Sequence, residues 1–179
     1  MDEWVDVLDE NGKRTGKSIL KAEAHRLGLF HPTVHVWFYT DDAQILFQKR
    51  SMLKKTFPGL WDVSVAGHIS AGEEIRYSAI REAKEELGIK LKVTELKKIG
   101  IHKNISRHPE IIDCEFHHIF ISRLKKPVHK LKLQETEVEA VKLLPLETLL
   151  ATLNPKEFVV FDGEYYKSLH SAIKSTLRA

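Results

Sequence analysis

Cysteine is almost missing from this 179-residue chain: Cys114 stands alone, so no internal disulfide can form and a reducing cytoplasm is the expected setting. Long apolar runs are missing too. None approaches the ~18 residues needed to cross a bilayer, and the N-terminal stretch MDEWVDVLDENGK lacks the basic-then-apolar order of a secretion signal. A membrane partner is therefore not expected. Charge of one sign is scarce, with 28 Lys and Arg against 25 Asp and Glu leaving a net +3. The basic residues are dispersed apart from short clusters at Lys54-Lys55, Lys97-Lys98 and Arg123, Lys125, Lys126. Duplex nucleic acid would call for a denser stripe, so a small anionic ligand is the expected partner. Repeats, low-complexity tracts and linkers are also absent. At 42% apolar the chain can bury one core, and a single domain over residues 1–179 is expected. Nothing in the sequence sets an oligomeric state.

What is present is a mixture of strand and helix signals. Trp4–Leu8 and Thr15–Ser18 flank Glu10-Asn11-Gly12-Lys13, a hairpin signature. Lys21–Arg26 reads as a short helix ending near Gly28, so residues 1–30 form a hairpin and a helix. Thr33–Tyr39 and Ile45–Gln48 are apolar strands with a turn at Asp41-Asp42, and Trp61–Val65 is a short strand entering a loop at Gly67. Further strands are expected within Leu91–His102, Ile111–Ile121 and Val138–Leu143. Pro145–Leu153 reads as a short helix. After the Asn154-Pro155 break, residues 154–179 form a tail whose segment Tyr165–Leu177 is an amphipathic helix.

The densest chemistry lies in Gly67–Ile89. Ser70-Ala71-Gly72-Glu73 has the form of a capping box, although Gly72 is a poor helix residue and the helix is expected to begin by Ile75. Gly88 suits a left-handed C-cap. On that helix Glu82, Glu85 and Glu86 stand at i, i+3 and i+4, so their carboxylates share one face, while Ala79, Ile80, Ala83 and Leu87 pack it down. Like charges at this spacing repel unless something positive binds there. A hard cation such as Mg²⁺ suits them; a solvated face balanced by Arg81 and Lys84 is the plainer alternative.

Read as fixed positions, Gly67, Glu73, Arg81, Glu82, Ala83, Glu85, Glu86, Gly88 and Ile89 resemble the signature of the Nudix hydrolases at every defined position. The resemblance implies a single Nudix domain of the α/β class, an α/β/α sandwich with a mixed sheet. It also implies hydrolysis of a diphosphate linked to another moiety, such as a nucleoside diphosphate derivative, with Mg²⁺ or Mn²⁺ as cofactor. Glu82, Glu85 and Glu86 would hold metal, with the Gly67 carbonyl as an extra ligand. Arg81 would orient glutamates, by pairing with Glu73. An additional acidic residue on the loop before Val138, Glu135 or Glu137, would be a base or further ligand; the proton would go to that residue or to one of Glu82, Glu85 and Glu86. A non-catalytic nucleotide-binding module on the same fold is the alternative.

The run Pro58–His68 resembles a subgroup that shares the fold, the isopentenyl-diphosphate isomerases. There the residue before the Gly-His pair is the catalytic cysteine. Here it is Ala66, whose methyl can neither donate nor accept a proton, and Cys114 should point to the face opposite Asp113 and Glu115. Isomerisation is therefore disfavoured. Other isomerase-like positions survive: His25, His35, His68, Asp113 and Glu115 correspond to a histidine-based metal site, suited to Mn²⁺ or Zn²⁺. Arg50 and Lys54 look like a diphosphate-binding pair, with Lys21 a further candidate. Each also has a plain structural reading, as an interior histidine or a solvated strand end. His117-His118 is expected on the surface or in packing, and Trp4, Trp37 and Trp61 in core packing rather than stacked on a base.

Overall fold

The apolar strand signal at residues 33–39 becomes the centre of the molecule in a computed structural model that describes residues 3–178. The hairpin is formed by β1 (Trp4–Leu8) and β2 (Arg14–Leu20), paired antiparallel as a two-stranded sheet. It runs directly into α1 (Lys21–Leu27), which ends at Gly28 in the left-handed conformation. Then come β3 (His31–Tyr39), β4 (Gln44–Arg50), β5 (Trp61–Asp62) and β6 (Val65–His68). The helix α2 (Ile75–Leu87) precedes β7 (Lys97–Arg107), β8 (Ile112–Arg123), β9 (Val138–Pro145) and α3 (Gly163–Arg178).

The main sheet runs β5-β4-β3-β8-β7, with β6 paired to β3 and β9 to β4. It is mixed: β3 and β8 run parallel, while β6 is antiparallel to β3. Every residue of β3 is buried, as a strand covered on both faces requires. Its even positions Val34, Val36 and Phe38 pack with Ala79, Ala83 and Leu87 of α2. Its odd positions Trp37 and Tyr39 pack with Tyr165, Leu169 and Ile173 of α3. Helices thus cover both faces, giving the expected α/β/α sandwich.

The strands differ from the sequence reading mainly at the ends. The segment Trp61–Val65 splits into β5 and β6, and β6 itself carries Gly67. The expected helix at Pro145–Leu153 is one tight 3₁₀ turn, Leu146–Leu150. Ser70 does not cap α2: the N-cap is Glu74, whose carboxylate accepts from the amides of Arg76 and Tyr77. The Ser70-Glu73 pair instead closes the preceding loop, through Glu73 N–H to the Ser70 carbonyl at 2.9 Å. Gly88 does cap α2 at φ 64°.

Strand alternation fixes where the chemistry goes. Residues 31, 33, 35 and 37 share one face of β3, and their β8 partners are 115, 117, 119 and 121. Along that face the pairs run His31/Glu115, Thr33/His117, His35/Ile119 and Trp37/Ile121, polar at one end and apolar at the other. On β6, Ala66 lies opposite His35 and His68 opposite Thr33, so both share this face. Gly67 falls between them and turns to the α2 side. The polar end of the face opens into a cleft of about 730 Å³.

Candidate active site

Two groups of side chains meet at β6, one on each side of it. Behind Gly67 stand the α2 glutamates. A Cβ at position 67 would collide with the Glu82 carboxyl, so only glycine lets the helix come this close. Glu82 and Glu86 are buried, whereas Glu85 is half-exposed. Arg81 gathers the rest: its guanidinium donates to Glu73 at 3.0 and 3.1 Å, to Glu82 at 2.7 Å, to Glu85 at 3.2 Å and to the His68 carbonyl at 3.0 Å. These contacts tie the helix to the strand that carries the second group.

Burial governs the charge of the two inner glutamates. It pushes Glu82 up to about 7, with Arg81 pulling down and Glu85 adding to the rise. Burial and the neighbouring Glu82 push Glu86 well above the usual carboxylate range. One Glu86 oxygen is buried with no hydrogen-bond partner. Two buried carboxylates with too little positive charge and an orphaned oxygen fit a divalent cation, and carboxylate oxygen suits Mg²⁺ or Mn²⁺.

On the cleft side, His25 from α1, His31 from β3, His68 from β6 and Glu115 from β8 converge, with one ligand atom of each within 4.8 Å of the others. His25 Nε2 lies 3.2 Å from both His31 Nε2 and His68 Nε2. Burial and the adjacent imidazoles lower His25 to about 4, and His68 is lowered as well. Burial alone would raise Glu115, but the imidazoles of His31 and His68 outweigh it and hold its carboxyl well below the usual range. Burial opposes the charged form of His31, but Glu115 beside it raises the imidazole above its ordinary value. Three ring nitrogens around a firmly ionised carboxylate are a ligand set for Mn²⁺ or Zn²⁺ once that proton is displaced.

Two residues of the sequence reading, His35 and Asp113, fall outside this group, and His31 falls within it. Four residues along a strand are ~13 Å, and His35 instead contacts the Tyr165 hydroxyl at 2.8 Å and stacks on His117 at 4.0 Å. The signal for His31 was available, since it has the same parity as His35, but its position directly across from Glu115 appears only in the β3/β8 register. Asp113 lies beside the cluster rather than within it, one oxygen 3.8 Å from His25 and the other 3.5 Å from His108. Burial raises Asp113 to about 7. His108, which sequence reasoning missed, sits in a loop without periodicity to reveal it.

Arg50 and Lys54 both line the cleft. Arg50 donates to Asp62 at 2.9 Å and twice to Thr56, through its carbonyl and hydroxyl. Of its five N–H groups two remain for a ligand. Lys54 contacts Glu137, and Glu137 is among the charges felt at Glu86. The loop acids are thereby separated: Glu137 lines the cleft, whereas Glu135 is exposed and outside it. Lys21 lines the cleft as well. His117 and His118 are both buried, so the surface alternative for them is wrong. Among the tryptophans, Trp37 is core, Trp61 lies under Lys142 at 4.0 Å and Trp4 is 55% exposed. Cys114 is buried and absent from the cleft lining.

The NUDIX domain model matches residues 29–169. The chain belongs to the Nudix family. An uncharacterized Nudix hydrolase of Clostridium acetobutylicum is 39% identical over 163 residues, spanning 89% of this chain and 78% of that protein. Nudix hydrolase 3 of Arabidopsis thaliana is 38% identical across 93% of this chain, but this Nudix chain spans only 23% of that longer protein. An isopentenyl-diphosphate Delta-isomerase of Salmonella arizonae is 38% identical over 102 residues, 56% of this chain and 54% of that one. Among solved structures, the DR0079 protein of Deinococcus radiodurans superposes with a TM-score of 0.72 at 22% identity, covering 92% of this chain and 98% of its own. The NUDIX domain of Shewanella oneidensis NrtR, solved with ADP ribose, gives 0.59 at 18% identity over 79% of this chain and 87% of that one. The relatives that match this chain thus include proteins named as Nudix hydrolases and proteins named as isopentenyl-diphosphate isomerases.

Proposed function

We propose that this chain hydrolyses a diphosphate linked to another moiety, of the nucleoside diphosphate class, with Mg²⁺ or Mn²⁺ bound at Glu82, Glu86 and the Gly67 carbonyl and with Glu85 at the exposed edge. The observation that carries the reading is the pair of buried, under-compensated carboxylates packed against a glycine whose strand lines the cleft that also holds Arg50 and Lys54. A bound divalent ion would neutralise phosphate charge and lower the pKa of an attacking water. Arg50 and Lys54 hold the diphosphate, Arg50 through its two free N–H groups and Lys54 as a compact point charge. Arg81 positions the glutamates and does not reach the cleft lining. Glu137 takes the proton from the attacking water; its ion pair with Lys54 holds the carboxylate in place. The histidine cluster with Glu115 holds a second ion, Mn²⁺ or Zn²⁺, facing the same cleft.

Isomerase chemistry has no support at the position where it needs a proton donor, because Ala66 occupies it. The test is release of phosphomonoester products, read by chromatography, from a panel of nucleoside diphosphate derivatives, sugar diphosphates and prenyl diphosphates, with Mg²⁺ and with chelator. Metal-dependent release from at least one of them supports the reading. Binding without turnover across the panel would favour a nucleotide-binding module. Interconversion of isopentenyl and dimethylallyl diphosphate, lost on chelation, would overturn it in favour of an isomerase.

A further inference from the structure

A second recess, of about 620 Å³, lies at the far end of α2 from the Gly67 loop. Its floor is apolar, made by Ile89, Leu91 and Leu133, which belong to or pack against the α2-side core. Its rim carries six cations, Lys84, Lys90, Arg123, Lys125, Lys126 and Lys132, against two carboxylates, Glu85 and Glu95. The whole chain has a net charge of only +3, so this recess is far more positive than its surroundings.

Two of the cations are answered within the protein, Lys125 by Glu95 at 2.5 Å and Arg123 by Asp41 at 3.0 Å. Lys84, Lys90, Lys126 and Lys132 make no ion pair among the described residues. A helix C-terminus favours cations, which offers a structural reason for the cluster. Here that reason is weak, because backbone amides already take the last carbonyls. Gly88 N–H donates to Lys84 at 3.0 Å, Ile89 to Ala83 at 3.1 Å, Lys132 to Leu87 at 3.1 Å and Gln134 to Glu86 at 3.0 Å. These four ammonium groups thus share one recess without a protein counter-charge of their own, an arrangement that favours an anion there.

We propose that this recess binds a nucleotide-sized organic polyphosphate at a site separate from the catalytic cleft, with its phosphates on Lys90, Lys126 and Lys132 and its apolar or aromatic body on Ile89, Leu91 and Leu133. Size and lining both fit: small-molecule sites run to ~300–1,000 Å³ and combine an apolar floor with a few placed polar groups. A recess of this size suits a small molecule better than a strand of nucleic acid, which would need a continuing track. Its wall is also the loop that reaches the catalytic cleft. Lys132 and Gln134 anchor residues 131–134 to α2, and three residues beyond Gln134 comes Glu137. A ligand that holds Lys132 therefore braces the segment that carries Glu137.

The experiment uses ATP, tripolyphosphate and adenosine as probes in calorimetry with an Arg50→Ala/Lys54→Ala chain, which removes diphosphate binding in the catalytic cleft. The expected result is saturable binding of one ATP, at least ~10-fold weaker after Lys90→Glu, Lys126→Glu and Lys132→Glu, since each reversal turns an attraction into a repulsion. Tripolyphosphate and adenosine each bind more weakly than ATP. In the otherwise unaltered chain the same reversals leave the unfolding temperature and basal diphosphate hydrolysis unchanged; if they unfold it, the three Lys→Gln changes give the same binding readout. No saturable ATP binding, or binding indifferent to these substitutions, would overturn the site. Tripolyphosphate binding as tightly as ATP would overturn the role of the floor. Failure of the catalytic reading would show separately, as diphosphate hydrolysis untouched by Arg50→Ala/Lys54→Ala.

Discussion

The two candidate metal groups stand on opposite sides of β6, served by consecutive residues, yet they are built in opposite ways. Glu82, Glu85 and Glu86 come from one helix and from one stretch of sequence. His25, His31, His68 and Glu115 come from a helix and three strands, and they meet only because β3 pairs with both β6 and β8. Their electrostatics differ as well. The glutamate group is short of positive charge and is driven toward protonation. The histidine group centres on a carboxylate that stays ionised while His25 and His68 are pushed toward neutrality. One group needs a cation to be stable as charged; the other is already close to balance.

The largest expected effect follows from that difference. Glu86→Gln keeps the size of the side chain and removes one buried charge. Turnover should fall by more than the ~100-fold that loss of a supporting residue around a metal typically costs. In chelator the same variant should melt higher than the parent chain, by ~2–4 °C for each kcal/mol of relieved burial. Steady-state turnover and a thermal scan check the two halves. Equal turnover at matched metal concentration would remove Glu86 from the site.

Next comes the loop acid. Glu137→Ala should lower turnover by ~10²–10⁴-fold, the usual worth of a general base. Glu135→Ala, on the exposed side of the same loop, should leave it unchanged. A reversed pattern in kcat would move the base to Glu135.

A sharper comparison uses two histidines on one strand. His31→Gln should cost the chain one bound equivalent of Mn²⁺ or Zn²⁺ in metal analysis, and His35→Gln should not. Loss of the ion in His35→Gln instead would restore the arrangement expected from the sequence.

These pairs also show what was legible in the sequence. Helical periodicity places three glutamates on one face from residue spacing alone, and Gly88 closes that helix where it should. Glu82 and Glu86 could therefore be paired without coordinates. The depth of each could not: Glu85 stays half-exposed because it looks away from Gly67, and only the packing of α2 on β6 says so. Strand positions were read correctly, but ligation across strands depends on register, which spacing does not carry. That is why His35 was expected and His31 was found. Glu137 could not be told from Glu135 for a similar reason, since the turn between them decides which one faces the cleft.

The smallest expected effect is in pH dependence of the metal-free protein. Glu82 is raised from 4.5 to about 7, so its folded form keeps a proton that the unfolded chain has lost. Its contribution to stability is full below about pH 4.5 and is lost as pH rises toward 7. His25, lowered from 6.5 to about 4, slopes the other way: its contribution is full above 6.5 and is lost as pH falls toward 4. Urea midpoints measured against pH in chelator should flatten between 4.5 and 7 for Glu82→Gln, and between 4 and 6.5 for His25→Gln. The same change of slope in both variants would contradict the assigned shifts.

The central claim, that two chemically different metal sites flank the Gly67-His68 step, is tested most directly by anomalous diffraction from crystals soaked in Mn²⁺. The account predicts two peaks, one held by Glu82, Glu86 and the Gly67 carbonyl, the other by His25, His31, His68 and Glu115. A structure with both groups empty, or with manganese bound by neither set of side chains, would contradict it.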